Sequence, residues 1–273
     1  RLPLCRVPLR PDERSHVRRS APGLEGSDGR LAEPAASAGI SLPRRCRRHR
    51  RRRLPHRRCL ARPGAGHRRR HQCLDARRRG GAGCVLHSDG WIYVVGGIVD
   101  GHHSGTQAWF DRINPKTGEW QILPDAPTKR DHAPAAIVDD KLYFFGGRET
   151  GRFDGADYER FFFATIPQVD VYDFTAKTWS TLDKPIPVQT AAGGAGVIDG
   201  KIHYVGGEAG RAEAFTDLQI FDPTTEEWTV GPSLNRARHG TNACVYDGVF
   251  WIAVGSGARG GEPELTSLEC YRP

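Results

Sequence analysis

The sequence predicts an all-β fold assembled from repeated four-stranded antiparallel units, and three observations carry that reading. An aromatic, β-branched run closes on Gly-Gly three times, as WIYVVGG (91–97), KLYFFGG (141–147) and KIHYVGG (201–207). A tryptophan follows each copy, at Trp120, Trp179 and Trp228. From each Trp to the second Gly position of the next copy (Gly147, Gly207, and Gly255 in the degenerate fourth copy VFWIAVG) there are 27, 28 and 27 residues, whereas from Gly to the following Trp there are 23, 32 and 21. One half of the unit is rigid and the other is an adjustable loop, the signature of a repeat architecture.

The first strand of each unit is small and apolar: GAGCVLH (81–87), APAAIVD (133–139), GGAGVID (193–199) and TNACVYD (241–247). It is followed by Asp89-Gly90, Asp139-Asp140, Asp199-Gly200 or Asp247-Gly248. Asp-Gly between two such runs favours a two-residue hairpin turn, so strands a and b pair. After the variable loop, strand c ends in RINPKTGEW (112–120), VYDFTAKTW (171–179) or IFDPTTEEW (220–228). Asp/Asn, Pro and Thr build a turn there, and Trp opens strand d. In the fourth unit Cys270-Tyr271 takes the place of Val171-Tyr172, and no fourth strand follows.

A Gly pair inside a β run packs nothing, so its recurrence implies backbones approaching where a side chain would clash. Small residues on strand a and Gly on strand b suit the narrow axis of a ring of sheets, with Trp filling the wider periphery, as expected of a β-propeller blade. The pattern of strand, Gly-Gly, variable loop, Tyr-Asp, about six residues and Trp resembles the kelch repeat. Units two and three meet it in full; the first has Ile113-Asn114 for Tyr-Asp, and the fourth has Val254-Gly255-Ser256-Gly257 for the doublet. The resemblance covers roughly residues 77–273 and implies a kelch-type propeller of which about four blades are visible, an incomplete ring with exposed edges at both ends.

Charge divides the chain. Residues 1–76 hold 21 Arg against 6 acids, whereas 77–273 hold 19 Lys+Arg against 26 acids. The first segment contains no Lys, Phe, Tyr, Trp, Thr, Asn or Met. It lacks the material to bury a core and is expected to be disordered. Arg, Pro, Ala and Gly, all with GC-rich codons, fill 43 of its 76 positions. That composition fits a GC-rich gene read out of frame, ending at Arg77-Arg78-Arg79-Gly80, which stands ahead of its strand as Arg238-His239-Gly240 stands ahead of the fourth unit's. The alternative is a genuine basic tail able to contact nucleic acid through phosphates, without aromatics to stack on bases. The cysteines (Cys5, Cys46, Cys59, Cys73, Cys84, Cys244, Cys270) show neither a disulfide framework nor zinc spacing, and they assign no compartment. No run of about 18 apolar residues marks a membrane span.

Meander parity places the b–c loops and the d–a connections on one face. That face collects His102 and His103, Arg148 to Asp157, Glu208 and Arg211, and Arg259 to Glu264, with Arg79, Arg130, Asp131, His132, Arg238 and His239 from the connections. Loops on a rigid scaffold are where binding residues concentrate. The candidate ligand-binding set is therefore Arg130, His132, Arg238, His239, His102, His103, Arg148, Glu208 and Arg259. The other reading of Arg130, Asp131, His132, Arg238 and His239 is structural: they solvate the channel rim or bridge blades. Tyr93, Tyr143, Tyr172 and Tyr204 belong to the repeated strands and read as packing.

The leading reading is a binding module for a protein or carbohydrate, with no cofactor, no metal and no assigned catalytic step. RHG and GSGARGG resemble the galactose oxidase-like kelch proteins, which makes a copper oxidoreductase the alternative, although no Tyr, His and Cys ligand set is recognisable. Architecture does not imply chemistry. No GxSxG, P-loop or HExxH pattern occurs.

Overall fold

An Asp-Gly pair supplies two successive left-handed backbone positions where a hairpin must reverse, and the computed structural model, which describes residues 80–101, 103–153 and 159–273, places them there. Asp89 and Gly90 (φ +48° and +75°) turn the chain from β1 (Cys84–Ser88) into β2 (Trp91–Val95). A small hairpin, β3 (Ile98–Asp100) and β4 (Ser104–Thr106), sits in the first b–c loop, and β5 (Phe110–Ile113) and β6 (Trp120–Ile122) complete the blade in the order β1-β2-β5-β6. The second blade comprises β7 (Ala135–Val138), β8 (Lys141–Phe144), β9 (Asp170–Asp173) and β10 (Thr178–Thr181). The third comprises β11 (Gly194–Ile198), β12 (Lys201–Val205), β13 (Leu218–Asp222) and β14 (Glu227–Val230). The fourth has β15 (Asn242–Tyr246), β16 (Val249–Ala253) and β17 (Leu268–Tyr271). All pairings within the blades are antiparallel, so four meander blades stand among the described residues. The segment 1–76, expected to be disordered, lies outside them.

Strand a is innermost, since β7 touches both β1 and β11, and β11 touches β15. The small side chains on these strands allow that approach. Between the first two blades Phe110, Tyr172 and Trp179 meet edge-on or tilted, with centroids 4.8–5.3 Å apart. Between the next two, Trp228 meets Phe221 of its own blade at 4.9 Å and Phe145 of the preceding one edge-on at 6.3 Å. Trp179 and Trp228 thus pack between their own blade and the preceding one, and Trp179 Nε1 also donates to Pro124 O at 2.8 Å. A third cluster, around Leu218, Phe250 and Ile252, joins blades three and four. The four strand tyrosines are 0–5 % exposed, as packing residues should be.

The Gly pairs bring neighbouring blades into backbone contact. Gly97 N donates to Arg130 O (2.9 Å), Gly147 N to Thr190 O (2.9 Å) and Gly207 N to Arg238 O (2.8 Å). Gly206 has φ +73°, and a Cβ there would stand 2.5 Å from Arg238 O. In the fourth blade the same place holds Val254, at φ +53° and 54 % exposed. Because no described connection crosses it, the side chain has space, but the left-handed backbone is strained for a β-branched residue. Of the cysteines, Cys84 and Cys244 are free thiols.

One position therefore predicts two opposite outcomes. Gly206→Val should destabilise the protein by about 3 kcal/mol or more, from clash and strain together. Val254→Gly should raise stability by about 1 kcal/mol by relieving the backbone alone. Chemical denaturation of both variants checks the pair.

Candidate functional site

The residue after each Gly pair forms an isolated antiparallel bridge to the connection entering its own blade: Ile98 with Gly81, Arg148 with Asp131, Glu208 with Ala191, and Ser256 with His239. The repeat thereby delivers four charged or ionisable side chains to one layer at the base of the loop-rich face. Arg148 Nη1 donates to Glu208 Oε1 at 2.5 Å, crossing from the second blade to the third. Glu208 Oε2 accepts from Gly260 N at 2.9 Å and lies 3.4 Å from His239 Nδ1, both in the fourth blade. His239 Nε2 is 2.8 Å from Ala258 O. On the other side, Asp131 accepts from Thr106 Oγ1 of the first blade and from Thr150 Oγ1, each at 2.6 Å. His132 Nδ1 stands 2.7 Å from the same carboxylate, and Arg148 Nε donates to Thr150.

This network links all four blades and is closed to solvent: Asp131, Arg148, Thr150, Glu208 and His239 are all buried. Burial pushes the Asp131 carboxyl up, but the hydrogen bonds from His132, Thr106 and Thr150 outweigh it and hold it below its ordinary range. Satisfied buried networks of this kind fix geometry.

Arg130 and Arg238 are not surface groups: both side chains are 0 % exposed. Arg130 donates to Asp170 Oδ2 (2.6 Å), Gly146 O (3.2 Å) and Gln168 O (2.9 Å), with its guanidinium over the Phe144 ring. Arg238 donates to Glu269 Oε1 (2.7 Å), Val254 O (3.1 Å) and Ser267 O (2.9 Å). Burial lowers the Arg130 pKa to about 10, with Asp170 opposing the drop. These two arginines pin the incoming connection to strands b and c of the blade it enters. In the third blade Thr190 occupies the place. Its hydroxyl bonds the Tyr204 hydroxyl and Gly206 O, and Gln219 stands where Asp170 and Glu269 do, bonding Val188 N and O.

Of the other expected site residues, His103 is exposed in the β3–β4 turn, and His102 lies outside the described residues. Arg259 belongs to the layer above: it donates to Gly210 O and Glu159, and stacks over Phe162 at 4.8 Å. Arg148 stacks beneath on Phe161 at 4.6 Å, so a short 3-10 turn, Arg160–Phe163, lies between two guanidiniums. Its last residue, Phe163, is 67 % exposed, with its ring against Gly210. Exposed Arg160 stacks on Phe153, and exposed Arg211 on Phe215 at 3.5 Å. Sequence reasoning missed this crest; the visible signal was RFFF in a loop, an apolar run that belongs to no strand repeat.

Among the described residues no group of three or more His, Cys, Asp or Glu could hold a metal ion. No helix there is long and apolar enough to cross a membrane.

Two predictions separate scaffold from network. Arg130→Ala strands Asp170 in the core and should cost about 3–5 kcal/mol, whereas removing both charges with Arg130→Met/Asp170→Leu should recover most of that loss in urea denaturation. For Asp131, a folded pKa below the unfolded value means stabilisation that is complete above about pH 4 and lost as pH falls through the folded value. Asp131→Asn should therefore flatten the acid limb of the Tm–pH profile below about pH 4.

The KLHDC2/KLHL20/DRC7 Kelch-repeats domain model matches residues 71–255. Kelch-like protein terF of Aspergillus terreus is 32% identical over 145 residues, covering 50% of this chain and 30% of that protein. Mouse Kelch-like protein 35 is 28% identical over 158 residues, 57% of this chain and 24% of its own length. The chain spans less than a third of either relative. A solved structure described as YjhT superposes with a TM-score of 0.53 at 17% identity, over 65% of this chain and 59% of that one, which supports the fold alone. Nothing in these matches supports the galactose oxidase-like resemblance. With three Gly-Gly blades, their tryptophans and a family model over most of the described residues, the chain belongs to the kelch-repeat family.

Proposed function

We propose that this propeller is a protein-binding module whose partner docks on the crest formed by Phe163, Arg160 and Arg211. The observation that carries the reading is Phe163, a large apolar side chain left 67 % exposed on the face where the rigid network ends. Aromatic and Arg side chains anchored on a pre-ordered base are the usual energetic centres of protein interfaces. Beneath the crest the Arg148–Glu208–His239 network holds the loop bases, so little ordering is needed on binding. Arg160, stacked on Phe153, presents its guanidinium to carboxylates of a partner segment, and Arg211, whose Nε and Nη2 are held by Glu213 O and Ala214 O, offers its remaining Nη1 beside it. Kelch-like relatives make a protein partner the leading class.

Selection of displayed peptides on the full chain tests this. Enriched peptides should carry an apolar residue near carboxylates and should bind Phe163→Ser at least about tenfold more weakly, since a truncated hot spot costs about 2 kcal/mol. Substitution of Asp199 on the opposite face should leave binding unchanged. Equal loss from Asp199→Ala with the fold intact would place the site elsewhere, and saturable binding on a glycan array with no peptide enriched would reassign the ligand to carbohydrate.

A further inference from the structure

Most arginines that stack on a ring in this chain spend their donors on the protein itself. Arg112 donates to Gln121, Arg130 to Asp170, Arg148 to Glu208, Arg211 to Glu213 O and Ala214 O, and Arg259 to Glu159 and Gly210 O. Arg152 and Arg160 differ. Both stack on one ring, Phe153, at 5.8 and 4.6 Å from its centroid, which bounds the separation of the two guanidinium carbons by the sum of those distances. Both are exposed, and among the described residues neither side chain donates a hydrogen bond or pairs with an acid. Glu159, next to Arg160 in the chain, reaches Arg259 at 3.2 Å instead. Two cations held on one ring without a counter-charge repel each other, and an anion relieves that repulsion.

The pair selects its anion. A carboxylate brings one charge and two oxygens, whereas a phosphomonoester brings about −1.5 to −2 charge at pH 7 and three strong acceptor oxygens, enough to answer two guanidiniums at once. Position selects what accompanies it. Arg160 opens and Phe163 closes the same 3-10 turn. Residues three apart in such a turn are eclipsed and rise about 2 Å each, which sets the two positions on one side, about 6 Å apart. An extended segment returns to the same face every second residue, at about 3.3 Å per residue, so its repeat matches that spacing.

We propose that Arg152 and Arg160 bind a phosphorylated serine or threonine of the partner protein, as arginine clusters do in phosphopeptide recognition. Docked on the crest, the partner carries it two residues from the apolar side chain that meets Phe163. The inference rests on the crest being the docking face and goes beyond it by naming a phosphate, where displayed peptides offer only carboxylates.

The probe is a short alanine peptide, blocked at both ends, with phosphoserine two residues before leucine, titrated into the full chain by calorimetry. Saturable binding is expected, at least about tenfold tighter than for the serine and glutamate versions, and Arg152→Gln and Arg160→Gln should each weaken it about tenfold. Phe163→Ser separates this inference from the reading it rests on. Peptides that all need Phe163 but show no preference for phosphate keep the crest and overturn the phosphate site. Phosphate-dependent binding that needs both arginines but is unmoved by Phe163→Ser supports the phosphate site and overturns the crest anchor. Inorganic phosphate that binds as tightly as the peptide reduces the ligand to the free anion and overturns the partner. Binding by Asp154→Asn/Asp157→Asn but not by the parent means that the pair is neutralised within the chain, and it overturns the proposal, as does the absence of saturable binding in both.

Discussion

Each blade is tied to the next by backbone hydrogen bonds that form only where a carbonyl can enter space a side chain would fill. Arg130 O, Thr190 O and Arg238 O each receive an N–H from the preceding blade's Gly pair. Beside them a second ladder runs from His132 N to Ala82 O, Ala192 N to His132 O and Gly240 N to Ala192 O. Close approach at these points sets the distance between inner strands, and that distance admits only small residues such as Gly194 and Ala135 on strand a. A Cβ on Gly194 would already stand 2.9 Å from Ala243 N. The outward increase in residue size, ending in Trp179 and Trp228, follows from this one constraint.

The same constraint decides what the connections can carry. Once the backbone at Arg130, Thr190 and Arg238 is held against the preceding blade, its side chain points into its own blade, where strand c meets it. Two chemistries fill that space. Arg with Asp170 or Glu269 is a buried ion pair, in which desolvation offsets much of the attraction. Thr190 with Tyr204 and Gln219 does the same geometric work without charge. Because both versions stand within one chain, the ion pair is one way of filling the space rather than a requirement of the fold.

Strand order, hairpin turns and Trp packing were legible because they depend on short-range chemistry: Asp-Gly backbone angles, apolar alternation and a Gly pair that only a close backbone explains. The placement of Arg130 and Arg238 was not, because Arg-Asp-His and Arg-His-Gly read as polar connections until their partners are known. Those partners sit two residues before the strand-c aromatic, at Asp170 before Tyr172 and Glu269 before Tyr271, and Gln219 replaces them where Thr190 replaces Arg. That covariation was in the sequence, but the repeat alignment was anchored on Gly and Trp and passed over it. Arg148 and Glu208 were placed on the correct face, whereas their pairing needed the bridge geometry that brings neighbouring blades' side chains within reach.

The network at the loop bases and the crest above it divide labour in a way the repeat makes unavoidable. Positions next to the Gly pair are oriented by the backbone bridges and packed on every side, so polar groups there must satisfy one another. Asp131, Arg148, Glu208 and His239 do so, leaving no group of the floor to meet a ligand. Freedom to vary begins only where the chain leaves that layer. The b–c loop of the second blade is the longest, and it spends part of its length on Phe161 and Phe162, held between Arg148 and Arg259. One residue further on, Phe163 has left the stack and faces solvent. A side chain presented this way is held by the scaffold but chosen by the loop, and it can change by substitution at the crest without disturbing the hydrogen bonds that hold the blades.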